Sequence, residues 1–257
     1  MPTSFFGWIQ LLLDKYGTLF LQGAGVTMLI AVVGTTVGFL IGLLVAILRT
    51  FPLKFTAPVW QQGMMHTLRF LLSAYIEVFR GTPMIVQAMV VYYGALQYLK
   101  LDIPALSAAF LVVSVNTGAY MAEIVRGGIL SVDAGQKEAA TAVGMTHWQA
   151  MVQVVIPQVL RNILPSISNE FVINIKDTSV LNVIGVTELY YMAGVIKRIN
   201  LQTFQVYTVV CVLYFILTFT VTRLLRLAEK KLAGSASYVI CGAQSDSHAE
   251  IHIKEAR

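Results

Sequence analysis

Residues 135–157 read GQKEAATAVGMTHWQAMVQVVIP, a stretch too polar to lie in lipid yet flanked on both sides by long apolar runs. Its local chemistry predicts two short helices meeting at a corner. Asp133 with Gln136 three residues later suits a helix start, and residues 137–143 are good helix formers until Gly144 breaks the run. Thr146 with Gln149 three residues on is a capping-box pattern, which restarts a helix at His147. Trp148, Met151, Val152 and Val155 then fall at i, i+3, i+4 and i+7, one apolar face, and Pro157 marks the junction with the next element. Local chemistry alone leaves two readings of this knob: a docking surface for a partner, or a helix pair lying at the membrane interface.

The flanks are membrane spans. Of 257 residues, 57% are hydrophobic and 12% charged, with a mean hydropathy of +0.73; a soluble domain carries about a quarter charged residues. A spanning helix needs about 20 apolar residues. Residues 19–48 supply one, with Gly34, Gly38 and Gly42 as a small-residue stripe that lets another helix approach. Residues 56–69 read as a connection. Residues 68–98 are apolar but interrupted by FRGTP at 79–83, and Pro83 predicts one long broken span. Spans over residues 104–126, 161–184 and 203–225 bring the total to five. Residues 1–18 are left as an external or interfacial segment and 188–200 as a short external one. From residue 228 to 257 the chain reads as a flexible cytoplasmic tail, small and polar beyond 233.

Basic residues set the orientation. Arg49, Lys54 and Arg69 follow the first span, Arg126, Lys137 and Arg161 surround the knob, and Arg223, Arg226, Lys230 and Lys231 follow the fifth. These ends belong on the cytoplasmic side, against Lys197 and Arg198 outside, which predicts an external N-terminus and a cytoplasmic C-terminus. The net charge of +5 therefore points to cytoplasmic loops and not to nucleic acid. No cleaved signal is expected from the opening residues. The sequence contains no G-x-x-x-x-G-K-[ST] phosphate loop and no H-E-x-x-H zinc motif, and Cys211 and Cys241 lack metal-pair spacing. The histidines of HAEIH (His248, His252) fall in the tail and read as solvated.

Charged and polar side chains inside a bilayer are costly, so those that persist face a cavity or a partner. Glu170, Asn174 and Asp177 lie at i, i+4 and i+7 in the fourth span, and Asn116, Tyr120 and Glu123 repeat that spacing in the third. The two stripes suit the path of a polar zwitterion, with Glu170 or Asp177 receiving an ammonium and Asn116, Asn174 and Tyr120 hydrogen-bonding to a carboxylate or amide. Structural pairing competes with this: Glu123 with Arg126 at i, i+3, and Lys176 or Asp177 with another subunit. Arg80, beside the proline break, reads as a headgroup anchor or a cap. Trp60, Trp148, Tyr92, Tyr93, Tyr190 and Tyr191 suit interfacial belts.

The run Glu138-Ala139-Ala140, Gly144, nine residues, then Val154-Val155-Ile156-Pro157 resembles the E-A-A-x-x-x-G-(nine residues)-I-x-L-P signature of the membrane subunits of ABC-type importers, with Val for Ile and Ile for Leu. FRGTPMIVQ, NTGAYMAEIVRGGI and NEFVINIKDTSVLNVIGVTEL resemble the polar amino acid branch, the histidine and glutamine permease type. The resemblance covers residues 19–227. It implies an all-α membrane protein of the type I importer (MetI-like) fold in the bacterial inner membrane, with the coupling loop at about 127–157. Glu138, Ala139, Ala140, Gly144, Met145 and Thr146 would then dock a separate subunit that binds ATP and Mg. It further implies two such ATPase subunits, a second membrane subunit (identical or related), and an extracytoplasmic amino acid-binding protein. No cofactor or catalysis is expected in this chain, and glutamine-like substrates are favoured. The alternatives are a self-contained secondary transporter or channel, relaying protons through the intramembrane carboxylates, and a membrane scaffold.

Overall fold

The computed structural model describes residues 4–50, 58–233, 238–241 and 250–253. Lys54, the Lys137 side chain, His248, the His252 side chain and the tail residues outside those last two segments lie outside the described residues.

Helix α1 runs unbroken from Phe5 to Thr50. At 1.5 Å per residue its 46 residues reach about 69 Å, more than twice the ~30 Å of a hydrocarbon core. Residues 5–18 are therefore helical and continuous with the first span. Leu12, Tyr16 and Phe20, four apart, are buried against a cluster that includes Leu189, Ala193, Ile196 and Val206, so packing carries the helix back to Phe5.

Helices α2 (Val59–Gly81) and α3 (Met84–Tyr98) realise the predicted break. Thr82 is extended, as a residue before proline prefers, and Pro83 caps α3. The expected connection over 56–69 is helical from Val59 onward. Neither helix alone is long and apolar enough to cross a membrane. Four helical stretches are: α1, α4 (Ala105–Leu130), the rod from Trp148 to Ile184, and α9 (Thr203–Lys231 by that measure). The count of five therefore rests on α2 and α3 acting as a pair.

The register between helices bears on that pair. The glycine stripe of α1 packs on α4 with Gly34 against Val113, Gly38 against Thr117 and Gly42 against Met121. Both series rise together, so α1 and α4 are parallel, and the chain must return between them through α2 and α3. A Cβ on Gly42 would sit 2.7 Å from the Ala122 nitrogen, closer than any side chain tolerates. Gly128 against Ile163, and Thr117 against Asn174, make α7 (Ile156–Asp177) antiparallel to α4. Tyr214 reaches Glu188 beyond the end of the rod while Thr222 and Glu229 lie beside Pro165 and Asn169 further back along it, so α9 is antiparallel to α7 and parallel to α1.

The knob is α5 (Ala134–Ala142), a corner, and α6 (His147–Ala150). Pro157 does not end the second helix. Instead α6 runs through a π turn, Met151–Val155, into α7 (Ile156–Asp177) and a 3-10 turn, Thr178–Ile184. The Ile156 N–H reaches the Met151 carbonyl five residues back, and Pro157 sits in the first turn of α7, where its missing N–H costs least. Helix α8 (Leu189–Asn200) occupies the expected external segment, and α9 runs from Thr203 to Ala233. In the tail, β1 (Tyr238–Cys241) pairs antiparallel with β2 (Glu250–Ile253), Tyr238 opposite Ile253, a ladder that a tail without periodicity did not announce.

Candidate functional site

The knob forms as its residues dictate. The Asp133 carboxylate accepts from the Gly135 N–H at 2.7 Å and starts α5. Gly144 adopts φ +88°, the left-handed conformation in which a side chain is strained, and nothing lies within 4 Å of where its Cβ would be. The Met145 N–H folds back to the Ala140 carbonyl, closing the helix end. The capping box is reciprocal: Thr146 N–H donates to Gln149 Oε1 at 2.8 Å, and Gln149 N–H donates to Thr146 Oγ1 at 3.3 Å. Glu138, Ala139, Thr146 and Trp148 stand exposed, whereas Ala140 is buried and Met145 half-buried. The corner thus presents one small-residue face outward and fixes its other face inward.

The polar stripes part company. Asn174 Nδ2 donates to Thr35 Oγ1 at 2.8 Å, and its Oδ1 accepts from Thr117 Oγ1 at 3.1 Å, so one buried amide clasps α1, α4 and α7. Asn116 Nδ2 donates to Gln87 Oε1 (2.9 Å) and to the Phe79 carbonyl (3.2 Å). Gln87 Nε2 lies 2.8–3.0 Å from the Phe79 carbonyl and from both Thr82 oxygens. Gln87 and Asn116 together satisfy the carbonyls that the Pro83 break leaves without partners. Both asparagines expected along a path are therefore engaged in holding the fold.

Glu170 is different. It is 7% exposed, and no described residue gives its carboxylate a hydrogen bond or ion pair. The charges of Asp177 and Arg80 lie close enough for their fields to act on it. The Arg80 guanidinium stands 5.4 Å from the centre of the Tyr120 ring. The break at Pro83 thus turns Arg80 towards the polar stripes, a placement that reading it as an anchor or cap did not foresee. Asp177 itself is exposed and forms no ion pair with Lys176.

Glu123 pairs with Arg126, as its spacing predicts, through Arg126 Nε (3.0 Å) and Nη2 (2.8 Å). Its other oxygen accepts from Arg49 Nη1 at 2.6 Å, a bond across 74 residues that periodicity cannot announce. The carboxylate joins the last turn of α1 to α4 just ahead of the knob.

Glu188 was not singled out by the sequence. Fully buried, it caps α8 by accepting from the N–H groups of Tyr190 (2.9 Å) and Tyr191 (2.7 Å) and takes the Tyr214 hydroxyl at 2.7 Å. Its only signal was position: an acid immediately before an apolar helical run.

Comparisons with known proteins agree with this architecture. A family model described as binding-protein-dependent transport system inner membrane component matches residues 23–234. The glutamine transport system permease protein GlnP of Escherichia coli (strain K12) is 36% identical over 215 residues, 83% of this chain and 93% of the relative. The arginine transport system permease protein ArtQ of Bacillus subtilis (strain 168) is 31% identical over 212 residues, 82% and 91% of the two chains. A solved amino acid ABC transporter crystallised with histidines shares 35% identity at a TM-score of 0.77, covering 90% of this chain and all of that one. An inward-facing MetNI methionine transporter, 22% identical, matches at a TM-score of 0.70 over 85% of this chain and 98% of its own, which shows the shared type I importer fold. A family match over most of the chain, on an all-helical membrane fold with the Glu-Ala-Ala corner in place, makes this protein an inner membrane component of the binding-protein-dependent transport family, an amino acid ABC transporter permease.

Proposed function

We propose that the chain is the translocation subunit of an ATP-driven importer of polar amino acids, glutamine-like substrates being favoured. The single observation that carries the reading is the buried carboxylate of Glu170, which no described residue hydrogen-bonds, on a helix continuous with the exposed knob. An ionisable side chain buried within a membrane span marks a candidate functional site, and the rod from His147 to Ile184 joins it to the exposed knob. Glu170 receives the substrate ammonium, with Tyr120, Asp177 and Arg80 around it. Asn116 and Asn174 act only through the fold.

In this reading the knob fits a separate subunit that binds ATP and Mg, since the sequence carries no phosphate loop. Glu138, Ala139, Ala140, Gly144, Met145 and Thr146 form the contact. Two ATPase subunits and a second membrane subunit complete the complex, and an extracytoplasmic binding protein delivers the amino acid. The parallel register of α1, α4 and α9 supports five crossings, with α2 and α3 together making the second. The basic residues put the N-terminus outside and the C-terminus in the cytoplasm. Differential affinity for the ligand between outward- and inward-open states drives release. The GlnP and ArtQ relatives support polar amino acids as the substrate class.

The test is ATP-dependent uptake in proteoliposomes containing this chain, its ATPase and its binding protein, across labelled glutamine, glutamate, arginine, histidine and cystine. Wild type takes up one or a few of these, and Gly144→Asp abolishes uptake. Glu170→Gln lowers uptake about tenfold or more, the loss expected on removing a charge-assisted hydrogen bond of ~1.5–3 kcal/mol. Uptake indifferent to ATP and to Gly144→Asp would move the reading to a secondary transporter.

A further inference from the structure

Between α7 and α9 lies a crevice of about 230 Å³, lined by Pro165, Ser168, Asn169, Thr222, Arg226 and Glu229 among others. Three features set it apart from ordinary helix packing. The Ser168 hydroxyl is buried with no hydrogen-bond partner, although a helical serine can normally donate to the carbonyl one turn back. Ser168 as a whole is 9% exposed. Arg226 and Glu229, three apart on α9 and suitably spaced to pair, form no ion pair with each other or with any other described residue. A buried hydroxyl without a partner, the exposed Arg226 and the half-buried Glu229 thus border one hollow without pairing with one another.

The ligand chemistry that answers this set is a zwitterion: an anionic oxygen group for Arg226, Ser168 and Asn169, and an ammonium for Glu229. An amino acid and an aminophospholipid headgroup share that chemistry. Position decides between them. Ser168 lies two residues before Glu170, about 200° around the helix, so the crevice faces away from the Glu170 stripe. Its other wall is α9, of whose most apolar window only 11% is buried, with Phe219, Leu224 and Leu227 exposed along it. Arg226 and Glu229 also fall where α9 turns from apolar to basic, ahead of Lys230 and Lys231, the depth of a headgroup layer.

We propose that this crevice binds a phospholipid bearing a primary ammonium, phosphatidylethanolamine in type. Its phosphate lies on Arg226 and the Ser168 hydroxyl, its ammonium on Glu229, and its acyl chains along the exposed face of α9. The site ties lipid composition to the α7 rod that carries both the knob and Glu170. It rests on the importer reading only for which leaflet supplies the lipid.

The full-length chain, with whatever subunits accompany it, is reconstituted in vesicles of equal parts phosphatidylethanolamine and phosphatidylcholine, then released and weighed intact by native mass spectrometry. Wild type retains the ethanolamine lipid over the choline lipid by about tenfold, because a quaternary ammonium has no N–H to donate to Glu229. Glu229→Gln brings the ratio near parity while keeping bound phospholipid, and Arg226→Gln lowers the bound count itself. Ser168→Ala, a substitution that fills nothing and breaks no bond, reduces retention without affecting assembly. An unchanged ratio in Glu229→Gln, no retained lipid in wild type, or displacement of the lipid by free amino acid would each overturn the proposal, the last by assigning the crevice to an amino acid. The lipid count needs no transport, so an importer that failed the uptake test would leave this result readable by itself.

Discussion

Replacing Asn174 with alanine separates a clasp from a lining residue. Its amide makes two buried bonds, to Thr35 at 2.8 Å and to Thr117 at 3.1 Å, and so ties α7 to both parallel helices of the core. Hydrogen bonds between membrane helices average about 0.6 kcal/mol and reach ~1.7 kcal/mol. The two threonine hydroxyls left behind can each turn back to a carbonyl of their own helix, which spares most of the cost of an orphan group. Asn174→Ala therefore lowers stability by about 1–2 kcal/mol, measured by reversible unfolding in mixed micelles of increasing denaturing detergent. A double-mutant cycle with Thr35→Val gives a coupling near 0.6 kcal/mol. Uptake by the reconstituted importer keeps its KM and its substrate preference. A KM raised tenfold with unchanged stability, and a coupling near zero, would refute the assignment and return Asn174 to the substrate path.

Three further outcomes follow from the geometry. Gly42→Val drives a side chain into Met121 and the Ala122 backbone and costs at least about 1–3 kcal/mol, seen as lower yield of folded protein and earlier unfolding. Gly144→Ala meets no neighbour but must hold φ +88°, so it costs about 1–2 kcal/mol of local conformation and weakens co-purification of the ATPase while leaving membrane insertion intact. Arg49→Ala frees one Glu123 oxygen and loosens the end of α1; protease cleavage near residue 50 rises, and Glu123→Gln, which removes the charge both arginines share, raises it further.

Legibility tracked sequence distance. The Thr146–Gln149 box, the Gly144 corner, the Asp133 start and the Pro83 break were all readable, because each is settled within four residues by backbone chemistry. The glycine stripe announced a close helix but not which one. Spacing sets each polar stripe on one helical face, yet what that face meets depends on partners far along the chain: Gln87 for Asn116 at 29 residues, Thr35 for Asn174 at 139. The contact of Arg80 with Tyr120 is of the same kind, since the two lie on different helices. Periodicity fixes the azimuth of a side chain, while burial among other helices decides whether it is spent on structure or left for a ligand.

The π turn at Met151–Val155 has a mechanical consequence for the helix it interrupts. Bonding to the fifth residue back accommodates one residue more than an ordinary turn, so these five residues hold a reserve of helical phase. Releasing that reserve would advance everything beyond it by roughly one residue's step, about 100°. A push on the knob would then reach Glu170 as rotation about the rod's own axis. The carboxylate could be turned to a new face of the bundle while the helix that carries it scarcely tilts.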